Sequence, residues 1–197
     1  MIHRLLTDYK VILASASPRR KELFSLLGLQ PLIFPAEIAE PLSDEDPSQQ
    51  AMKHATNKAL FVQNQGEYQS LIVAADTLVS VDRHVLGKPR DALEARDYLR
   101  LLSNRQHCVW TGLCLLYNKK QLCGYEKTEV SFAPLTDEEI ESYIATYEPM
   151  DKAGAYGIQG YGAQFISKVN GCYFNVMGFP IHKFYDMLRV ILAEEKS

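Results

Sequence analysis

Val11-Ile12-Leu13-Ala14-Ser15-Ala16-Ser17-Pro18-Arg19-Arg20 reads as strand, tight turn and helix, and the rest of the chain is interpreted around it. Val11 to Ala14 is a short apolar run of strand character. Ser17 can cap a helix, and Pro18 suits the first helical position, where a missing N–H costs nothing. The helix ends at Gly28. Arg19, Arg20 and Lys21 put cations in its first turn, where the helix dipole and the free N–H groups favour anions. The misfit disappears if a phosphate chain sits at this terminus, bonded by backbone amides and by Arg19 or Arg20. Cations pointing into solvent are the plainer alternative, but Ser15 and Ser17 on the turn favour the anion.

Downstream, a second strand near Leu32 to Pro35 leads into an acidic stretch, Glu37 to Asp46, and Asp46-Pro47 opens a helix to about Gln63 with Ala51, Ala55, Ala59 and Val62 at helical spacing. Leu71 to Ala75 is a strand with Asp76-Thr77 at its end and more strand behind. After Gly87-Lys88-Pro89-Arg90, Asp91 and Glu94 pair like a capping box for a helix to Leu102. Cys108 to Tyr117 and Gln121 to Phe132 form a long hairpin through Asn118-Lys119-Lys120. Thr136 and Glu139 cap a helix over Asp137 to Thr146. A glycine-rich loop from Asp151 to Gly162 precedes a strand near Gln164 to Val169 and an Asn170-Gly171 turn. The last helix follows Pro180 and carries Ile181, Phe184, Tyr185, Leu188, Ile191 and Leu192 on one face. Alternating strands and helices around a central hairpin predict an α/β fold: a mixed central sheet flanked by helices, with two lobes around a groove.

With 197 residues, 47% of them hydrophobic, the chain can bury one substantial core, and 1–197 is expected to be a single domain. Its 21 basic and 24 acidic residues give a net charge of −3, which speaks against nucleic acid or an anionic membrane as partner. The N-terminus lacks a signal-peptide apolar run and no stretch approaches a membrane span, so a cytoplasmic location is expected. Cys108, Cys114, Cys123 and Cys172 have neither C-x-x-C spacing nor nearby histidines, and read as small core or strand residues.

Asp76 is the first candidate for chemistry, because a carboxylate where an apolar strand ends can hold a divalent metal or activate water. Taken alone, it could equally be a turn or cap residue. Lys58 lies among Ala55, Ala59 and Leu60, so it either snorkels to the surface or reaches a phosphate. Glu40 and Lys88 read individually as solvated loop residues. Gln159, in the glycine-rich loop, offers both a donor and an acceptor and suits the edge of a nucleobase.

Ile12-Leu13-Ala14-Ser15-Ala16-Ser17-Pro18-Arg19-Arg20, Ala74-Ala75-Asp76-Thr77, Leu86-Gly87-Lys88-Pro89-Arg90-Asp91 and Glu148-Pro149-Met150-Asp151-Lys152-Ala153-Gly154-Ala155-Tyr156-Gly157-Ile158-Gln159-Gly160 together resemble the Maf family of nucleoside triphosphate pyrophosphatases. The resemblance runs from about Val11 to Leu188, and four motifs in one order are far more specific than any one of them. It implies a Maf/ITPase-like fold, cleavage of a nucleoside triphosphate to the monophosphate and pyrophosphate, a divalent cation (Mg²⁺ or Mn²⁺) and a homodimer. The segment ending in Gln159-Gly160 looks like the branch acting on dTTP and UTP, rather than the sister branch acting on 7-methyl-GTP.

By the same resemblance, Asp76 is the proton acceptor and Arg19, Thr77 and Gln159 set substrate choice. Ser15, Glu40, Lys58 and Lys88 match positions lining the triphosphate and metal site, and Glu40 and Asp76 are the metal candidates. Whether Asp76 acts as base or metal ligand is left open. Cys172, Met177 and Phe179 depart from the family's usual residues and look like packing changes. Two alternatives remain at this point: a nucleotide-binding regulator of septum formation and division arrest, and a pyrophosphatase for another base or a modified nucleotide.

Overall fold

Strand β1 (Val11–Leu13) pairs in parallel with β2 (Leu32–Ile33) on one side and with β3 (Leu71–Val81) on the other. Parallel neighbours need crossovers, and helices α2 (Pro18–Leu26) and α3 (Pro47–Gln63) supply them. The computed structural model describes residues 1–67, 69–82 and 84–193. These form a mixed sheet flanked by helices and divide into two compact units, the first of described residues in Met1–Asp76, Thr111–Glu126 and Gly178–Ser197, the second of Thr77–Trp110 and Lys127–Met177. Strands β3, β5 (Gln106–Tyr117) and β6 (Lys120–Phe132) are long enough to contribute to both.

In the first unit, Leu71 to Asp76 of β3 are buried without a break, as expected of a strand covered on both faces. Helix α3 starts at Asp46, whose carboxylate accepts from the Ser48 amide at 2.9 Å, with Pro47 in the first helical position. Its Ala51, Ala55, Ala59 and Val62 are fully buried. Small side chains let the helix approach β5 so closely that a Cβ at Gly112 would stand 2.3 Å from the Ala51 carbonyl carbon. Helix α7 (Ile181–Ala193) packs Phe184 against Phe24 of α2 and against Phe179, with ring centroids 5.6 and 5.0 Å apart. Each such buried ring contributes roughly 2 kcal/mol of apolar burial. The four-residue helix α1 (Ile2–Leu5) has no counterpart in the sequence reading, because it is too short to show a period.

In the second unit, β4 (His84–Leu86) lies antiparallel on β3, and β7 (Ile166–Asn170) antiparallel on β6. Helix α4 (Ala92–Leu102) is capped by Asp91, and α5 (Asp137–Ile144) carries the complete Thr136/Glu139 capping box that the sequence announces. Leu99, Leu102, Val130, Phe132, Ile140 and Phe165 fill the core. The short helix α6 (Tyr173–Val176), also unanticipated, is held by buried Asn175, whose amide donates to the Val109 carbonyl and to Thr128 Oγ1, each at 3.0 Å.

Asp76-Thr77 is not at a strand end, because β3 runs on without interruption through Leu78, Val79 and Val81, where β4 becomes its partner. What does end is the parallel pairing. Leu13↔Val73 is the last pair, and β1 then leaves the sheet toward α2.

Candidate active site

Where β1 departs, Ser15 is buried and its Oγ accepts from the Ser17 amide at 3.2 Å and from Arg20 Nη1 at 3.1 Å. Ser17 occupies the N-cap position of α2 as expected, but its side chain makes no cap bond. The three first-turn cations are not alike: Lys21 is exposed, Arg19 half-buried and Arg20 buried. Arg20 Nε donates to the Gly178 carbonyl at 2.8 Å. Burial lowers the Arg20 pKa, and the charges of Asp76 and Glu40 oppose that shift.

Below this terminus, Lys58 of α3 donates to Asp76 Oδ1 at 2.6 Å and is ion-paired with Glu40 Oε1 at 2.7 Å. His54, one helical turn before Lys58, places Nδ1 3.1 Å from Asp76 Oδ2. Asp76, Lys58 and His54 are only 5%, 7% and 3% exposed. Burial alone would raise the Asp76 pKa, yet the His54 hydrogen bond and the Lys58 ammonium outweigh it and hold the carboxyl well below the usual carboxylate range. The bond to Asp76 raises the His54 pKa against the opposing effect of burial. Buried ion pairs contribute little net stability, so a charged cluster in an apolar layer is better explained by chemistry than by folding.

The cluster also has the donors for a divalent cation. One ligand atom each from Glu40, His54 and Asp76 lie within 4.8 Å of one another. Carboxylate oxygens suit Mg²⁺ and Mn²⁺, and a single imidazole is compatible with the latter. That the Lys58 ammonium is shared by Glu40 and Asp76 shows the two carboxylates can converge on one positive centre.

The remaining sequence candidates lie in the second unit. Thr77 follows Asp76 on β3 and is half-buried, and successive strand residues face opposite sides of the sheet. Lys88 and Gln159 are both exposed. The loop carrying Gln159 is organised by Glu148, whose carboxylate accepts from the Tyr161 amide at 2.9 Å, the Gly162 amide at 3.2 Å and the Tyr143 hydroxyl at 2.9 Å. Gly160 has φ +90°, a conformation that favours glycine, and a Cβ there would stand 2.5 Å from Glu148 Oε2 and displace that carboxylate.

Thus Ser15, Glu40, Lys58 and Asp76 are linked within one unit, the first through Arg20, while Thr77, Lys88 and Gln159 belong to the other. His54 is the addition the structure makes to the cluster, while Arg20, named in the sequence as a possible phosphate ligand, is buried on Ser15 and the Gly178 carbonyl. A signal for His54 exists in the sequence: it precedes Lys58 by four residues and interrupts the same run of small residues, Ala51, Ala55 and Ala59.

The mixed α/β sheet thus carries a basic helix terminus and a lysine-bridged carboxylate pair, the kinds of group that an anion and its cation would need. The chain belongs to the Maf-like protein family, which it matches over residues 10–191. It is 48% identical to a dTTP/UTP pyrophosphatase of Carboxydothermus hydrogenoformans, over 91% of this chain and 97% of that one. Relatives of the same name in Bacillus cytotoxicus and Aquifex aeolicus are 47% and 42% identical, covering 87% and 91% of this chain and 90% and 94% of theirs. Among solved structures, the Ham1 protein of Staphylococcus aureus is similar at a TM-score of 0.44 and 13% identity, covering 79% of each chain, too distant a likeness to argue from.

Proposed function

We propose that this chain is a nucleoside triphosphate pyrophosphatase that hydrolyses dTTP and UTP to the nucleoside monophosphate and pyrophosphate. The observation that carries the reading is the buried Asp76–Lys58–Glu40 cluster beside a basic helix terminus, in a chain whose relatives bear that activity in their names. The family match runs through both units, so we treat them as one functional domain.

Hydrolysis at the α phosphorus needs charge neutralisation and an oriented water more than covalent help from the protein. The amides at the start of α2 and the Arg19 side chain bind phosphate oxygens, while Arg20 holds Ser15 and so fixes the turn. Glu40 and Asp76, with His54 in reach, would hold a divalent cation, Mg²⁺ or Mn²⁺, which would screen the triphosphate charge and stabilise the leaving pyrophosphate. Asp76 is ionised at neutral pH, but with both oxygens already accepting from Lys58 and His54 it is a weak base. Lys58 turns to the phosphates when the substrate binds, which frees Asp76 Oδ1 to accept from the attacking water. In this scheme Lys88 supplies a further positive charge, and Arg19, Thr77 and Gln159 choose the base.

Incubating the protein and Mg²⁺ with dTTP, UTP, CTP, GTP, ATP and 7-methyl-GTP tests the reading. Monophosphate and pyrophosphate form from dTTP and UTP, and Asp76→Asn reduces the rate at least about 100-fold. Turnover confined to another base would overturn the specificity, and nucleotide binding with no turnover would make the chain a regulator instead.

A further inference from the structure

The Lys58 ammonium is held by both carboxylates of the candidate cation site, and the Arg20 charge acts on the same two groups. The acidic pair is therefore already ion-paired with a cation of the protein itself, Lys58. We infer that Lys58 is the resident counter-ion of this site, so that a divalent cation binds the free protein weakly and enters effectively only together with the triphosphate. This inference rests on the pyrophosphatase reading and deepens it.

The physical argument is one of charge balance. A divalent cation approaching Glu40 and Asp76 meets an ammonium 2.7 and 2.6 Å from their oxygens, in a place where water screens poorly because Lys58 and Asp76 are buried. The cation gains the carboxylates only if Lys58 gives them up. A lysine head is a compact charge on a flexible stem, so it can move, but a displaced and buried ammonium needs a new anion. The triphosphate is that anion. Substrate and cation thus favour each other's binding by the same factor, as linkage requires. A protein arranged in this way leaves its carboxylates paired with Lys58 until the substrate arrives, and gives them to the cation only then.

The probe is Mn²⁺, titrated into the nucleotide-free protein and followed by the loss of the free-ion electron paramagnetic resonance signal. Lys58→Met is expected to bind Mn²⁺ at least tenfold more tightly than the wild type, and Lys58→Arg, which keeps the charge, to bind it as weakly as the wild type. Calorimetric titration of the non-hydrolysable analogue α,β-methylene-dTTP into the wild type should give at least tenfold tighter binding with Mn²⁺ than with EDTA. Equal Mn²⁺ affinity in the wild type and Lys58→Met, or tight binding by Lys58→Arg, overturns the inference. If Lys58→Met does not fold, the wild type decides: analogue affinity indifferent to Mn²⁺ overturns it, and tenfold coupling supports it. Hydrolysis of dTTP by the wild type is scored separately, so failure of the activity and failure of this binding order are distinguishable.

Discussion

His107 is 2% exposed and packs edge-on against the rings of Phe132 and Tyr156, with Nε2 2.7 Å from the Tyr156 hydroxyl and Nδ1 without a partner among the described residues. Burial pushes its pKa down to about 4 from the ordinary 6.5. The folded state therefore holds the ring neutral while the unfolded chain protonates it. Stability from this residue is complete above pH 6.5 and is lost as pH falls toward 4. At pH 5 the loss is about 2 kcal/mol.

His54 acts in the opposite sense, since its raised pKa contributes stability below 6.5 that is lost as pH rises through the folded value. Asp76, with its lowered pKa, loses its contribution only below 3.8. The His107 effect is thus read as a difference. Urea melts at pH 7 and pH 5 should show that His107→Gln loses about 2 kcal/mol less than the wild type over this interval. An identical loss in both would mean that the ring is charged in the fold. Nothing in the sequence marks His107 as buried. Asp76, by contrast, lies in one of the ordered motifs, and Lys58 and Glu40 are assigned to the site by resemblance to family positions; their mutual contacts, and the part of His54 in them, come from packing between segments far apart in sequence.

Helix α3 brings His54 and Lys58 to β3, and its position depends on Gly112. A methyl group there would lie 2.3 Å from the Ala51 backbone, which cannot rotate away as a side chain would. Gly112→Ala should destabilise the protein by about 1–3 kcal/mol, seen as a lower urea midpoint at unchanged slope. A midpoint equal to the wild type would show that α3 can shift at no cost. Elements with strong local chemistry were readable in the sequence: α3 from Asp46-Pro47 and its alanine spacing, α4 from Asp91, α5 from its capping box. The four-residue helices α1 and α6 carry no such signal, and α6 is fixed by Asn175 through partners remote in sequence. Strand is expected on both sides of Asp76-Thr77, but its continuity through the pair is missed because Asp76-Thr77 resembles a turn when its long-range partners are out of view.

Across the whole chain, the alternation of strands and helices gave the mixed sheet, and the order of four motifs agreed with membership of the Maf-like family over residues 10–191. The division into two compact units has no counterpart in composition, because β3, β5 and β6 pass from one to the other without a linker. No helix among the described residues is long and apolar enough to cross a membrane. If water attacks the α phosphorus of the nucleoside triphosphate beside Asp76, hydrolysis of dTTP in ¹⁸O-enriched water, with the products read by ³¹P magnetic resonance and mass spectrometry, places one heavy oxygen in the thymidine monophosphate and none in the pyrophosphate. Label in pyrophosphate, or the appearance of thymidine diphosphate and labelled inorganic phosphate, would contradict attack at that phosphorus.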